Sequence, residues 1–146
     1  MIALRTTRRC LVLFICAWPL LVASCSQDTG RYPVQGEVSF DGEPIDKGAI
    51  VFQPVTGGGI KTGGPIENGR YDIPAETGPP AGKHKVLLFW EKKTGTTYVD
   101  RDSGDVYDRR AEGLPGEYQS DDTPLSVEIS DGPNVHDFRL TSPAKP

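Results

Sequence analysis

Short apolar stretches separated by turn residues run from Tyr32 almost to the end of the chain, and this pattern restricts the fold more than any other feature. All 17 glycines and 12 of the 13 prolines lie beyond residue 24, and no window has the i, i+3, i+4, i+7 spacing of an amphipathic helix. In residues 34–40, strict alternation places Val34, Val38 and Phe40 on one face. About seven such strands predict an all-β fold, a two-layer sandwich of seven strands in Greek-key order.

The predicted strands are punctuated by tight turns and by one long polar segment. Residues 83–90 are the strongest strand, with an apolar VLLFW core between lysines. Asn68-Gly69 predicts a two-residue hairpin turn, because both residue types accept the positive φ angles of a primed turn. Residues 91–124 have no apolar period and are predicted to form a long polar loop, and residues 141–146 a flexible tail.

Residues 1–24 have the layout of a secretory signal peptide. Three arginines and no acidic residue precede an apolar run of about 14 residues, too short to span a hydrocarbon core that needs about 20. The segment Val22-Ala23-Ser24-Cys25 then resembles the lipobox of bacterial lipoproteins, in which small residues precede a cysteine that becomes the lipidated N-terminus. We therefore expect cleavage between Ser24 and Cys25 and lipidation of Cys25.

Cys25 is the single cysteine beyond the predicted cleavage, so the exported domain can form no internal disulfide. Lipidation explains why a lone thiol stands at this position. A diacylglyceryl group with an amide-linked chain would hold the protein on a membrane, and residues 25–31 would be the lipidated N-terminus and a tether of at most about 20 Å. Ser26, rather than Asp, follows the cysteine, which favours the outer over the inner membrane of a bacterial cell envelope. Two alternatives stay open: an ordinary cleaved signal with an incidental cysteine, and a retained membrane helix.

The predicted exported part is acidic, with 13 basic and 20 acidic side chains and a net charge of −7. This charge argues against electrostatic binding of nucleic acid. It also argues against attraction to anionic lipid headgroups as the anchoring force. The partners that we expect are membrane lipid through Cys25 and an envelope protein or polysaccharide, and no nucleic acid.

A series of motifs along the chain resembles the carboxypeptidase regulatory-like domain of bacterial surface lipoproteins. The motifs are Val34-x-Gly36-x-Val38-x-Phe40-Asp41-Gly42-x-Pro44, Val51-x-Gln53-Pro54, Asn68-Gly69-Arg70-Tyr71, Pro80-Ala81-Gly82-Lys83-x-Lys85-Val86, Leu114-Pro115-x-x-Tyr118, Thr123-Pro124-Leu125-x-Val127 and Asn134-x-x-x-Phe138-x-Leu140. The resemblance covers residues 32–140 and implies a transthyretin-like β-sandwich whose glycines serve turns and whose aromatic residues fill the core. It further implies a non-catalytic accessory domain.

Residues that would carry catalysis are scarce in the sequence. No G-x-S-x-G elbow occurs, and the cysteine of the exported part stands at the predicted anchor. The Tyr-Arg-Gly-Ser terminus of hydroxyisourate hydrolases, an enzyme branch of the transthyretin-like fold, is replaced here by residues 138–142, Phe-Arg-Leu-Thr-Ser. By parity, His84 and His136 share faces with apolar residues and are expected in the core or at a sheet edge. We expect no enzymatic activity and no cofactor.

Four carboxylates in the long polar segment are weak metal candidates: Asp100, Asp102, Asp105 and Asp108. Their spacing superficially resembles a calcium loop, because several hard oxygen ligands fall within nine residues. Counted from Asp100, the sequence departs from the calcium-loop pattern D-x-[DN]-x-[DN]-G at its fifth and sixth positions. Ala111 occupies the twelfth position, where a glutamate is required. A solvated loop is the preferred interpretation.

Tyr98, Tyr107 and Tyr118 lie in the same segment and are candidates for carbohydrate contact, because exposed aromatic rings stack on sugar faces. The alternative is that Tyr118 packs against the sandwich while the other two lie on a mobile loop. The expected function is that of a membrane-anchored cell-envelope lipoprotein whose β-sandwich is a structural or protein-binding module. The second possibility is a carbohydrate-binding or adhesive surface lipoprotein.

Overall fold

The computed structural model describes residues 30–56 and 58–142. The expectations for the signal peptide, for cleavage after Ser24 and for lipidation of Cys25 lie outside the described residues, as does most of the predicted tail. The described chain is all-β and sandwich-like, as the sequence predicts. Its short helical turn is a 3-10 helix at Gly116–Tyr118. Within the described ranges, no helix has the length and apolar character needed to cross a membrane.

Ten strands form one open sheet in the described ranges. They are β1 (Val34–Phe40), β2 (Glu43–Pro44), β3 (Lys47–Pro54), β4 (Thr62–Glu67), β5 (Arg70–Ile73), β6 (Gly82–Val99), β7 (Val106–Glu112), β8 (Ser126–Ile129), β9 (Asn134–Val135) and β10 (Phe138–Leu140). The main order is β10-β1-β5-β4-β3-β6-β7, and β8 pairs with the first residues of β6. β1 runs parallel to β9 and β10, and the other pairings are antiparallel.

The inward-facing side chains of nearly every strand meet in one hydrophobic core. Its fully buried members include Val34, Val38, Ile45, Ile50, Phe52, Ile66, Ile73, Val86, Leu88, Trp90 and Ile129. The parity predicted for β1 is confirmed, since Val34 and Val38 are buried and Phe40 packs against the same core. His84 is buried on this face, and its Nδ1 donates to the Gly82 carbonyl at 2.9 Å.

Two sequence predictions about the strands are wrong. The sheet has ten strands rather than seven, partly because β2 and β9 are two-residue pairings too short to show a period. Residues 91–124 are not one long loop, because β6 continues to Val99 and β7 pairs back along it. These two strands pair with each other while their faces stay in water, so the segment needs no apolar period.

The strand directions define two ends of the sandwich. At one end, which we call the tether end, Arg31 bridges to Pro80 and the Tyr32 N–H donates to the Pro79 carbonyl at 3.0 Å. β6 begins at Gly82, two residues beyond that bridge, and runs to the opposite end. The opposite end, which we call the ribbon end, has the Asn68-Gly69 turn and the start of the β6–β7 pairing.

The hairpin turn predicted at Asn68-Gly69 is confirmed by its backbone geometry. Asn68 has φ 52° and Gly69 has φ 77°, both in the left-handed region that a primed two-residue turn requires. The turn joins β4 to β5, and Glu67 pairs with Arg70 across it. The Gly69 N–H donates to the Ile45 carbonyl at 2.7 Å, which fixes the turn to the neighbouring segment.

Gly36 is expected to be the glycine whose replacement damages the fold most directly. A Cβ atom at this position would lie 1.9 Å from the His136 carbonyl oxygen, where the chain leaves β9 beside β1. Because that obstacle is backbone, Gly36→Ala must push the two segments apart, at a cost of about 2–3 kcal/mol or more. Urea unfolding measures the loss. Gly116→Ala is the matched control, because no heavy atom lies within 4 Å of its Cβ position, and equal midpoints for the two variants would contradict the prediction.

Candidate binding ribbon

Beyond Trp90, β6 pairs with β7 in a two-stranded hairpin that projects from the ribbon end, and we call residues 91–112 the ribbon. The pairing runs from Glu91 opposite Glu112 to Val99 opposite Val106. Between Lys93 and Thr97 the register shifts, because β6 has two more residues there than β7. Such a bulge increases the local twist and turns the outer part of the ribbon relative to its base.

One face of the ribbon has two stacked tyrosines beside an arginine. The rings of Tyr98 and Tyr107 lie directly opposite each other, with centroids 5.7 Å apart and planes tilted by 33°, and the two residues are 43% and 47% exposed. The Arg109 guanidinium lies 5.5 Å from the Tyr98 ring centroid. Tyr98 and Arg109 line an open groove of about 520 Å³ together with Thr94, Thr96 and Arg110. The groove therefore combines one aromatic ring, hydroxyl groups and two guanidinium groups, and the Tyr107 ring lies beside it against Tyr98.

The opposite face of the ribbon tip is aliphatic. Val99 and Val106 are paired and exposed, and alternation along the strands places them on the face away from Tyr98 and Tyr107. Tyrosine is enriched at protein interfaces, and clustered exposed apolar residues are typical of contact surfaces. Both faces of the tip thus have the composition of an interaction surface.

The base of the ribbon is fixed to the sandwich by one carboxylate. Asp46 accepts a hydrogen bond from the Trp90 indole N–H at 2.8 Å and faces Arg110 Nη1 at 3.3 Å. Arg110 also donates to the Glu91 carbonyl at 2.5 Å. The hydrogen bond from Trp90 is the main cause of a lowered pKa of Asp46, and the backbone N–H of Lys47 and the charge of Arg110 lower that pKa further. The ordered base holds the exposed tip away from the body.

Asp46→Asn should lower the free energy of unfolding only at pH values at which Asp46 is ionised. Because the folded protein lowers the pKa of Asp46, the stabilisation is present above the unfolded pKa of about 3.9 and is lost as the pH falls through the folded value. The site is half exposed, so we expect a loss of only about 1 kcal/mol at pH 7. Urea unfolding of both proteins at pH 7 and at about pH 2 measures it, and a difference that persists in acid would contradict the assignment.

The four weak metal candidates are on or beside the turn of the ribbon and are not brought together. They are Asp100, Asp102, Asp105 and Asp108. Asp100 Oδ1 accepts the backbone N–H groups of Asp102 and Ser103, both at 2.9 Å, and these bonds lower its pKa. Asp108 pairs with Lys93 at 2.8 Å, which lowers the pKa of Asp108. In the part of the chain that the structure describes, no three acidic, histidine or cysteine side chains are grouped so as to hold a metal ion.

Tyr118 does not belong to the carbohydrate surface predicted from the sequence. It is 9% exposed, packs in the core, and donates from its hydroxyl to the Thr141 carbonyl at 3.2 Å. Burial raises the pKa of its phenol. The 3-10 turn at Gly116–Tyr118 follows the ribbon and returns the chain to the body, so the third tyrosine is structural.

Arg109 and the two valines of the tip belong to this surface although the sequence pattern does not indicate them. In the sequence, Arg109 is one of several arginines interleaved with the aspartates of this segment. In the sequence, Val99 and Val106 are separated from other aliphatic residues by polar residues. Only their cross-strand pairing shows that they form a patch. The signal that could have found them is the pair Tyr98-Val99 and Val106-Tyr107, which is symmetric about the turn.

A second groove, of about 760 Å³, lies on the outer face of the sheet across β1, β4 and β5. Its charged side chains are mainly engaged with each other or with the backbone. Glu37 pairs with Arg70 at 2.9 Å, and Asp137 Oδ1 accepts the Glu37 N–H at 2.9 Å. This groove has no exposed aromatic ring, so the ribbon is the better candidate site.

The fold and this surface define the class of all-β, sandwich-like domains with a projecting two-stranded ribbon. No protein-family model matches the sequence, and no curated protein matches it. Its structural neighbours include a candidate adhesin from Bacteroides ovatus ATCC 8483, with a TM-score of 0.37 and 16% identity over 76% of this chain and 44% of that one. Another is a 9R-lipoxygenase from Cyanothece PCC8801, with a TM-score of 0.34 and 13% identity over 76% of this chain and 16% of that one. The chain thus spans less than half the length of either neighbour, and its function is inferred from its own residues.

Proposed function

We propose that this protein is a lipid-anchored cell-envelope lipoprotein whose non-catalytic sandwich, of the carboxypeptidase regulatory-like type, presents the ribbon to an envelope protein. The observation that carries the proposal is the ribbon tip, where Tyr98, Val99, Val106 and Tyr107 are exposed on an ordered, paired hairpin. A mobile loop would have favoured a purely structural role. An ordered tip with outward aromatic rings favours binding.

The energetics of the ribbon support this function. Binding costs less entropy when the contact residues are already held in place, and the bond from Trp90 to Asp46 fixes the base of the hairpin. Aromatic residues at the centre of an interface contribute most of the binding energy. Tyr98 and Tyr107 are exposed aromatic residues held against each other, so we expect them to contribute most of the binding energy.

The lipid anchor is supported by the lipobox-like segment that ends at Cys25. The predicted signal peptide provides the route of export, and the order of the sandwich motifs resembles that of bacterial surface lipoproteins. The anchor would fix the position of the domain on the membrane, and the ribbon would then sample neighbouring molecules of the envelope.

The two faces of the ribbon allow a matched test of the binding function. The full-length lipoprotein, held in nanodiscs, is incubated with envelopes from cells that lack it, with and without protease treatment of those envelopes. Tyr98→Ser with Tyr107→Ser should weaken retention by at least about tenfold, as loss of interface aromatics does. Val99→Ser with Val106→Ser tests the aliphatic face of the same tip, so the two double variants together show which face contacts the partner.

Protease treatment of the envelopes should abolish retention if the partner is a protein. The proposal is overturned if neither double variant, nor a variant with the tip shortened to a two-residue turn, binds less than wild type. Unchanged unfolding midpoints in urea would establish that the variants are folded.

An acidic polysaccharide is the second candidate partner, and Arg109 is the observation that favours it. No carboxylate forms an ion pair with Arg109 within the described residues, and its guanidinium lies beside the Tyr98 ring. Guanidinium groups bind carboxylates through paired hydrogen bonds, and aromatic rings stack on sugar faces. Arg109→Gln should therefore weaken binding to immobilised polygalacturonate, while Arg101→Gln in the turn should not. Equal binding of wild type to neutral dextran would exclude this partner class.

A further inference from the structure

Large apolar side chains that are exposed in the described residues are concentrated at the two ends of the sandwich. They are Tyr98, Val99, Val106 and Tyr107 on the ribbon, Val55 and Ile60 elsewhere, and Val135 on β9. Ile60 is 74% exposed and Val55 is 46% exposed. The ribbon residues are already proposed to contact a partner, and Val135 lines the groove across β1, β4 and β5. Val55 and Ile60 remain to be explained.

Val55 and Ile60 lie at the tether end. The Val55 N–H donates to the Lys83 carbonyl at 3.0 Å, one residue from the start of β6. A Cβ atom on Gly59 would lie 2.8 Å from Pro54 Cγ, so the chain folds back and places Ile60 near the residue that precedes Val55. Val55 and Ile60 therefore lie on either side of the contact between Gly59 and Pro54, at the tether end.

The proposed lipid anchor would hold the tether end of the domain close to the membrane surface. Five peptide units separate Cys25 from Gly30, so even a fully extended connection spans at most about 18 Å. Arg31 is already bound to the domain, because its Nη1 donates to the Gly78 carbonyl at 3.0 Å and its backbone bridges to Pro80. A domain anchored through Cys25 must therefore hold its tether end close to the lipid.

We propose that Val55 and Ile60 insert into the headgroup region of the membrane and orient the sandwich with the ribbon pointing outward. The inference rests on the proposed lipid anchor at Cys25. It adds a second contact with lipid, in which apolar side chains of the folded domain enter the interface beside the acyl chains. Apolar side chains of peripheral proteins commonly bury at this depth.

The charges at the tether end favour an apolar contact over an electrostatic one. Lys61 pairs with Asp121 at 3.2 Å, and Lys83 stands opposite Glu128 in the β6–β8 ladder. Lys61 is taken up by this ion pair, Glu128 lies across the ladder from Lys83, and the predicted exported part has a net charge of −7. We therefore expect no electrostatic attraction of this end to anionic lipid. The contact is therefore expected on zwitterionic phosphatidylcholine and should be insensitive to salt.

The length of β6 determines how far the ribbon tip would lie from the lipid in this orientation. The strand begins at Gly82 beside the tether end and reaches Val99 after 18 residues, which at about 3.3 Å per residue is roughly 55 Å of extended chain. A domain that rests on Val55 and Ile60 thus displays Tyr98 and Tyr107 far from the lipid surface.

Fluorescence quenching by headgroup-labelled lipid tests the orientation. The full chain is processed in a lipoprotein-producing bacterium and reconstituted in phosphatidylcholine vesicles that contain a spin-labelled headgroup. With Cys25 lipidated, an introduced cysteine is the free thiol, so Lys83→Cys and Gly104→Cys place one fluorophore at the tether end and one at the ribbon turn. We expect quenching at position 83 to exceed that at position 104 by at least about threefold.

Two serine pairs then test the side chains themselves. Val55→Ser with Ile60→Ser should reduce quenching at position 83, whereas Val99→Ser with Val106→Ser, the matched pair at the ribbon, should leave it unchanged. Membrane-bound protein with equal quenching at positions 83 and 104, or with no effect of the first pair, would overturn the proposed contact. Failure of the wild-type protein to remain on the vesicles is a different result, because it would overturn the lipid anchor itself.

Discussion

Replacing Cys25 with alanine is expected to move the protein out of the membrane fraction. A diacylglyceryl group and an amide-linked chain together bury several tens of methylene groups, each contributing about 0.8 kcal/mol, whereas a single acyl chain anchors only marginally. Without the cysteine no lipid can be attached, and the acidic domain has no excess positive charge to replace it. We expect nearly complete membrane retention for wild type and nearly complete loss for Cys25→Ala.

Membrane fractionation with mass spectrometry of the mature N-terminus measures this effect. Cys16→Ala is the matched control, because Cys16 lies within the apolar run and follows Ile15, a residue too large for a lipobox. The control should keep both the lipid mass and the membrane fraction. Retention of Cys25→Ala together with residues 1–24 would indicate instead that the apolar run stays in the membrane as a helix.

Replacing Trp90 with alanine should cause the largest loss of stability, about 3–5 kcal/mol. Trp90 is buried, its ring contacts Phe40 edge-on at 6.2 Å between centroids, and Lys92 Nζ lies 4.6 Å from its centroid. A Cβ atom on Gly113 would lie 2.6 Å from the indole, so the chain leaving β7 also packs on this ring. The variant creates a cavity and removes the hydrogen bond to Asp46 at the point where the ribbon joins the body.

Chemical denaturation followed by circular dichroism measures this loss. Trp90→Phe should recover much of the packing but not the indole hydrogen bond, and should therefore fall between wild type and Trp90→Ala. Val99→Ala, in the exposed part of the same strand, should change the free energy of unfolding by no more than about 0.5 kcal/mol. A loss below about 1 kcal/mol for Trp90→Ala would show that the core does not depend on this side chain.

The sequence predicts those parts of the fold in which one face of a strand is buried. Alternation places Val34 and Val38 inward correctly, because burial on one face selects apolar residues at every second position. The Asn68-Gly69 turn is predicted correctly, because its backbone needs residues that tolerate positive φ. Local chemistry determines both features.

The ribbon could not be predicted in the same way, because both of its faces lie in water and select no apolar residues at alternate positions. The register shift between Lys93 and Thr97 also breaks any simple symmetry about the turn. The contact of Tyr98 with Tyr107 follows only from the pairing of β6 with β7, and the burial of Tyr118 follows from the 3-10 turn in which it lies. Gly36 illustrates the same limit, since its obstacle, His136, is one hundred residues away in the chain.

The continuity of β6 through both the body and the ribbon has a mechanical consequence. A partner that pulled on the tip would draw β6 along its own axis, while the proposed lipid anchor would pull the opposite way through β1. Ladder bonds in an antiparallel pair run perpendicular to the strands, so the seven-residue pairing between β6 and β3 is loaded in shear rather than peeled open one bond at a time. The sandwich between anchor and tip is thus arranged to resist traction along the line that joins them.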